Sequence, residues 1–188
     1  MSRTPLRERW PLTSGRRRCW PTRSPAFSAV RTWTTTRSEA LSCNTHYACT
    51  VLHGAKRPCW DCYFLSLAEA ASERGDCIRK QVGAVLVRPD HRTVITGYNG
   101  SAPGGPSCLE GDCARCNSDV PAGTSYEGCI EYHAEANAIM WARPEDRIGT
   151  TIYVTFEPCG DCRKLIRGVG IAHVVWLVNR TNIRRWTV

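Results

Sequence analysis

The sequence predicts an α/β protein built on a mixed sheet, and three observations carry that reading. Residues 82–87 form a short apolar run rich in β-branched side chains. Residues 93–98 form a second such run, and the turn Arg88-Pro-Asp-His between them makes the pair an expected antiparallel hairpin. Further on, helix and strand patterns alternate, which favours parallel neighbours with helices covering the sheet.

Taken in order, the first element is a helix opening at Trp60. Phe64, Leu67, Ala68 and Ala71 fall at i, i+3, i+4 and i+7, one apolar stripe that ends near Gly75. The hairpin follows. Residues 99–129 then hold six Gly and three Pro, a loop longer than a simple connector needs. His133 to Ala142 is Ala-rich and reads as a helix, 151–156 as a strand, 159 to about 169 as a helix and 173–178 as a strand. The ten residues after Val178 are too few for another helix-and-strand unit and are expected as a short tail, 179–188. The expected domain is therefore 59–178.

The chain has 188 residues, enough for one compact domain and an extension. Its net charge of +8 is unevenly placed. Residues 1–58 hold eleven Lys/Arg against two Asp/Glu, whereas the remainder holds fourteen against fifteen. The first segment mixes Arg, Ser, Thr and Pro without periodicity and reads as a basic, disordered extension. The near-neutral remainder lacks the clustered cations that a nucleic-acid-binding core requires. No run reaches the ~18 apolar residues of a membrane span.

Twelve cysteines include three CxxC pairs, Cys59/Cys62, Cys113/Cys116 and Cys159/Cys162. No apolar h-region follows the early arginines, so no secretory signal is read and the expected compartment is a reducing cytoplasm. There, CxxC pairs are metal ligands or redox thiols more often than disulfides. Cys59/Cys62, without evident partners, is expected to be ordinary packing.

Two helix starts carry chemistry, His133-Ala-Glu135 and Pro158-Cys-Gly-Asp-Cys162. Cysteines three apart in a first helical turn share one face. The positive helix end favours thiolates, and proline suits helix entry. His133 supplies a third ligand, and three protein ligands leave tetrahedral zinc one open position, as in catalytic sites. Glu135 points along another bearing and is free to shuttle a proton.

These residues match the H-x-E…P-C-x-x-C signature of zinc nucleobase deaminases. Together with Arg79-Lys-Gln-Val-Gly-Ala-Val-Leu-Val87, Thr96-Gly-Tyr-Asn-Gly100, His133-Ala-Glu-Ala-Asn-Ala-Ile139 and Tyr153-Val-Thr, they resemble the cytidine and deoxycytidylate deaminase superfamily from about Trp60 to Val178. Within it, the deoxycytidylate (dCMP) deaminases are the nearest family. The resemblance implies a three-layer α/β/α cytidine-deaminase-like fold. It implies catalytic zinc on His133, Cys159 and Cys162, with Glu135 as proton shuttle and base contact. Asn99 and the loop 97–105 would face the sugar, and Arg79 and Arg163 are candidates for the phosphate. The implied reaction converts dCMP and water to dUMP and ammonia, in homo-oligomers under dCTP and dTTP control.

Some family members carry a second, structural zinc. Cys77 and Cys108 match its positions, with Cys129 and one of Cys113 or Cys116 as expected partners. Glu157 ahead of Pro158 is also common in tRNA adenosine and free-base deaminases, so the motif leaves the base open. A deaminase of another base, nucleoside or tRNA therefore remains an alternative. So does a non-enzymatic zinc-bound interaction module, which would give Glu135 no role.

Overall fold

The computed structural model describes residues 57–121, 123–179 and 182–188. Nearly all of the basic extension expected at 1–58 lies outside these residues.

Helix α1 (Trp60–Ser72) opens with Cys59 as N-cap, its sulfur accepting from the Cys62 backbone N–H at 3.5 Å. Its buried side chains are Cys62, Phe64, Leu65 and Ala68. The expected stripe is thus rotated slightly: Leu65 faces the sheet, and Leu67 packs at the margin of the core. A flat sheet takes a wider apolar face than a single i, i+3, i+4 row describes.

The hairpin forms as expected, with β1 (Gly83–Val87) antiparallel to β2 (Val94–Tyr98). Then come α2 (Ala134–Trp141), β3 (Thr151–Val154), α3 (Gly160–Gly168) and β4 (His173–Val178). A fifth strand, β5 (Asn182–Thr187), completes a sheet of order β2-β1-β3-β4-β5. The β3-α3-β4 unit is parallel, and every other neighbouring pair is antiparallel, so the sheet is mixed as expected.

Side-chain alternation along the strands sorts the core into two layers. Val85, Val87, Tyr153, Val175 and Leu177 face α1. Ala84, Leu86, Ile152, Val154 and Val174 face α2 and α3. β1 is buried along its whole length because it is covered on both sides, which is why its sequence reads as unbroken apolar rather than alternating. The result is the three-layer α/β/α arrangement.

The short tail expected at 179–188 is instead mostly sheet. Ile183 packs into the α1-facing core, and Trp186 packs at the opposite layer. Arg185 pairs with Asp61 of α1 at 2.5 Å, and Asp61 also accepts from the Tyr153 hydroxyl at 3.0 Å. Asn-Ile-Arg-Arg-Trp-Thr carries too little apolar alternation to announce a strand. Backbone pairing with β4 needs none, and charge is common on edge strands.

Two glycines set how close the helices lie. A Cβ on Gly83 would fall 1.9 Å from the Ala68 carbonyl oxygen of α1, and one on Gly97 would fall 2.4 Å from the Ala134 carbonyl oxygen of α2. Gly83→Ala must therefore push α1 off the sheet. The expected cost is about 1–3 kcal/mol, read as a lower urea midpoint; an unchanged midpoint would contradict this close approach.

Candidate metal centre and active site

The site sits where two helix N-termini meet at one end of the sheet. After β3, the chain passes through Thr155 to Cys159, the N-cap of α3. Thr155 is anchored to the start of β1: its backbone N–H donates to the Gly83 carbonyl at 3.0 Å, and its hydroxyl accepts from the Gly83 N–H at 3.1 Å. His133 is the N-cap of α2. It is placed by a two-way backbone bridge in which Gly100 and Tyr132 exchange N–H···O bonds of 3.2 and 2.9 Å. Asn137 then donates from its side chain to the Tyr98 carbonyl at 2.7 Å, clamping α2 to the end of β2.

These anchors bring His133 Nδ1 to 3.4 Å from both Cys159 Sγ and Cys162 Sγ. All three ligand-type atoms lie within 4.8 Å of one another. One imidazole nitrogen and two sulfurs converging in this way are a borderline-soft donor set that suits zinc. Neither His133 nor Cys159 spends its side chain on capping its helix, although each occupies a cap position.

Glu135, in the first turn of α2, is only 4% exposed. Burial pushes its carboxyl above the ordinary range, against the opposing pull of its own backbone N–H and the His133 ring. Burial also raises the Cys162 thiol, with the nearby Glu135 charge adding to the effect. The Tyr126 ring stands edge-on to His133 at 4.7 Å, and the Arg115 guanidinium lies 4.6 Å over Tyr126.

His133, Glu135 and Cys159 line a cavity of about 170 Å³, together with Asn99, Glu131 and the cations Arg79, Lys80 and Arg115. Asn99 is 6% exposed. Its Oδ1 accepts from the Val82 N–H at 2.6 Å, and its Nδ2 donates to the Lys80 carbonyl at 3.0 Å and to Glu131 Oε2 at 2.7 Å. Arg79 grips the loop through the Cys116, Ser118 and Val120 carbonyls. Arg163, the other phosphate candidate, does not line the cavity. It binds the Pro158 carbonyl and the Glu157 carboxylate and lies over Trp186.

Glu131, Lys80, Arg115 and Tyr126 were not singled out from the sequence. Glu131 alone had a usable signal. It precedes His133 by two, and in extended chain residues two apart point to the same side; the bridge at Tyr132 provides that extension.

The loop cysteines gather differently from the single set expected. Cys77, Cys108 and Cys116 form one group, and Cys113, Cys116 and Cys129 another. Cys129 joins Cys113 and Cys116 rather than Cys77 and Cys108, because it closes the loop from the α2 side. Burial pushes the Cys108 thiol up to about 12. At Cys113 burial also raises the thiol, but the Ile130 and Cys116 N–H groups outweigh it and bring it to about 7.

Among the described residues no helix is long and apolar enough to cross a membrane. Residues 58–178 match the cytidine and deoxycytidylate deaminase zinc-binding region. The deoxycytidylate deaminase of Mycobacterium phage D29 is 46% identical over 125 residues, a match covering 64% of this chain and 95% of that protein. The deoxycytidylate deaminase of Schizosaccharomyces pombe is 42% identical over 122 residues, but the match spans only 37% of its length. The human deoxycytidylate deaminase is 32% identical over 128 residues, covering 66% of that protein. A crystal structure of dCMP deaminase from cyanophage S-TIM5 in apo form aligns at 23% identity and a TM-score of 0.45, over 62% of this chain and 80% of that one. The matched region takes in every helix and strand from α1 to β4, and the chain belongs to the cytidine and deoxycytidylate deaminase family.

Proposed function

We propose that this protein is a zinc-dependent hydrolase that deaminates dCMP to dUMP and ammonia. The observation that carries the reading is the meeting of His133, Cys159 and Cys162 beside a buried Glu135 in one cavity. His133, Cys159 and Cys162 would hold the zinc. When bound, the metal supplies Lewis-acid activation of water, bringing its pKa to about 7.

The chain's own groups do the rest. Glu135 accepts a proton from the attacking water and passes it to N3 of cytosine; it then takes the proton of the new C4 hydroxyl and hands it to the amine, which departs as ammonia. Its burial excludes bulk water from these transfers and strengthens each charge interaction. Asn99, held by its own three hydrogen bonds, fixes the wall on the sugar side. A second lone pair on its Oδ1 is suited to a sugar hydroxyl.

Two considerations support a nucleotide over a nucleoside. Arg79, Lys80 and Arg115 line the same cavity as Glu135, which favours an anionic substrate. The phage D29, fission yeast and human relatives are named deoxycytidylate deaminases. The same reading extends, on family membership, to homo-oligomers under dCTP and dTTP control.

Ammonia release from dCMP, CMP, deoxycytidine, cytosine and adenosine-containing tRNA tests the substrate. The expected order places dCMP first in kcat/KM, and faster turnover of deoxycytidine or tRNA would overturn it. Glu135→Gln is expected to lower kcat by ~10²–10⁴ while zinc content stays unchanged; a variant that keeps full turnover removes the proton-shuttle role. Asn99→Ala leaves the Val82 N–H and Glu131 without their partner. Calorimetry should show a loss of about 1–3 kcal/mol, and steady-state kinetics a rise in KM larger than any fall in kcat.

A further inference from the structure

The Cys59/Cys62 pair has a geometry that ordinary packing does not require. Cys59 is the N-cap of the 13-residue helix α1, with extended backbone at φ −67° and ψ 165°, and Cys62 follows it by three. The Cys59 carbonyl accepts the Tyr63 N–H at 2.9 Å, so Cys59 already belongs to the first helical turn. Its sulfur accepts the Cys62 N–H at 3.5 Å, which folds that side chain back over the turn toward Cys62. Cα atoms three residues apart on a helix are separated by roughly 5 Å. A disulfide spans about 4.4–6.8 Å between its Cα atoms, so the first turn can close this bond without unwinding.

The two thiols differ in access. Cys62 is 2% exposed and sits in the α1-facing core, whereas Cys59 is half-buried at the margin of that core. Reactive cysteines are partly exposed and stand at helix N-termini, and fully buried ones are shielded from outside reagents. An outer thiol one turn from an inner one is the layout in which the first meets an incoming disulfide and the second resolves the product.

The other two CxxC pairs have different surroundings. Cys159 and Cys162 converge with His133, and Cys113 and Cys116 fall in the loop groups. Among the described residues, Cys59 and Cys62 fall in no group of ligand atoms close enough to share a metal ion. Asp61, which lies between them in the chain, is engaged by the Tyr153 hydroxyl at 3.0 Å and by Arg185. A CxxC pair without a metal-type partner reads as thiol–disulfide chemistry.

We infer that Cys59 and Cys62 form a reversible dithiol/disulfide couple that exchanges with small-molecule disulfides. Cys59, as the thiolate, attacks one sulfur of the incoming disulfide. The S–S bond of that molecule breaks, a mixed disulfide forms on Cys59, and the first small thiolate leaves and takes up a proton. Cys62 loses its proton to solvent and attacks the Cys59 sulfur, and the second small thiolate departs and is protonated. Two protein thiols are thus oxidised by two electrons, and one external disulfide is reduced to two thiols. The closed ring pins the first turn of α1, on which Asp61 holds Tyr153 of β3 and Arg185 of β5.

Oxidised glutathione is the probe, applied to the full chain over a series of thiol-to-disulfide ratios, followed by alkylation and trypsin digestion. Peptide 57–74 carries these two cysteines and no others, so its mass reports the pair independently of turnover and metal content. In the wild type it is expected to lose two hydrogens without gaining glutathione, and to recover both when reductant is added. A peptide that stays reduced throughout, accumulates glutathione or becomes linked to another cysteine would overturn the couple and leave the pair to ordinary packing. Cys62→Ser is expected to retain one glutathione on Cys59, and Cys59→Ser to leave the buried Cys62 unmodified. Glutathione on Cys62 in the second variant, or none on Cys59 in the first, would overturn the assignment of outer and inner thiol.

Discussion

Everything in the site depends on two helix N-termini being forced to within a few ångströms of each other across the end of a sheet. His133 and Cys159 each cap a helix without using their side chains as caps. Those side chains are left to point toward a common place, 3.4 Å apart. The sheet enforces the meeting: β1 lies between β2, which carries α2, and β3, which leads into α3. Glycines at 83 and 97 let the helices lie so close that any side chain there would strike backbone. Removing the glycines would therefore disturb chemistry as well as packing, since helix position and ligand position are one geometric fact.

A second constraint comes from the hydrogen-bond demands of Asn99. It joins the start of β1, the segment before it and the residue two before His133. Because a buried amide is costly when unsatisfied, those three pieces of chain move together or not at all. The loop attaches to the same assembly through Glu131, held by Asn99, and through Arg79, bound to the Cys116 carbonyl, so the irregular loop between β2 and α2 forms a wall of the cavity rather than a loose cover.

How much of this could be read in advance follows from what kind of signal each feature leaves. The hairpin, α2, α3 and β4 show strong local periodicity or turn chemistry, and they appear where expected. The Cys159/Cys162 pair was legible because helix-start spacing puts both sulfurs on one face, and His133 joined them through the H-x-E…P-C-x-x-C signature. The α1 stripe was read only approximately, since its buried face is set by the sheet beneath it. Strand β5 left almost no trace: its pairing is backbone to backbone, and only Ile183 is fully buried. Lys80, Arg115 and Tyr126 reach the cavity from distant stretches, and no spacing rule links them to His133.

Residue types and short-range spacing, which act through helix and strand geometry, determined from sequence alone the α/β class and the two helix starts that carry His133, Glu135, Cys159 and Cys162. The tertiary structure decided which loop sulfurs share neighbours, that Arg79 is spent on the loop while Arg163 lies elsewhere, and that the chain end closes the sheet. Those outcomes turn on distances between residues far apart in the chain. Such distances are set by the packing of whole layers, to which local pattern is blind.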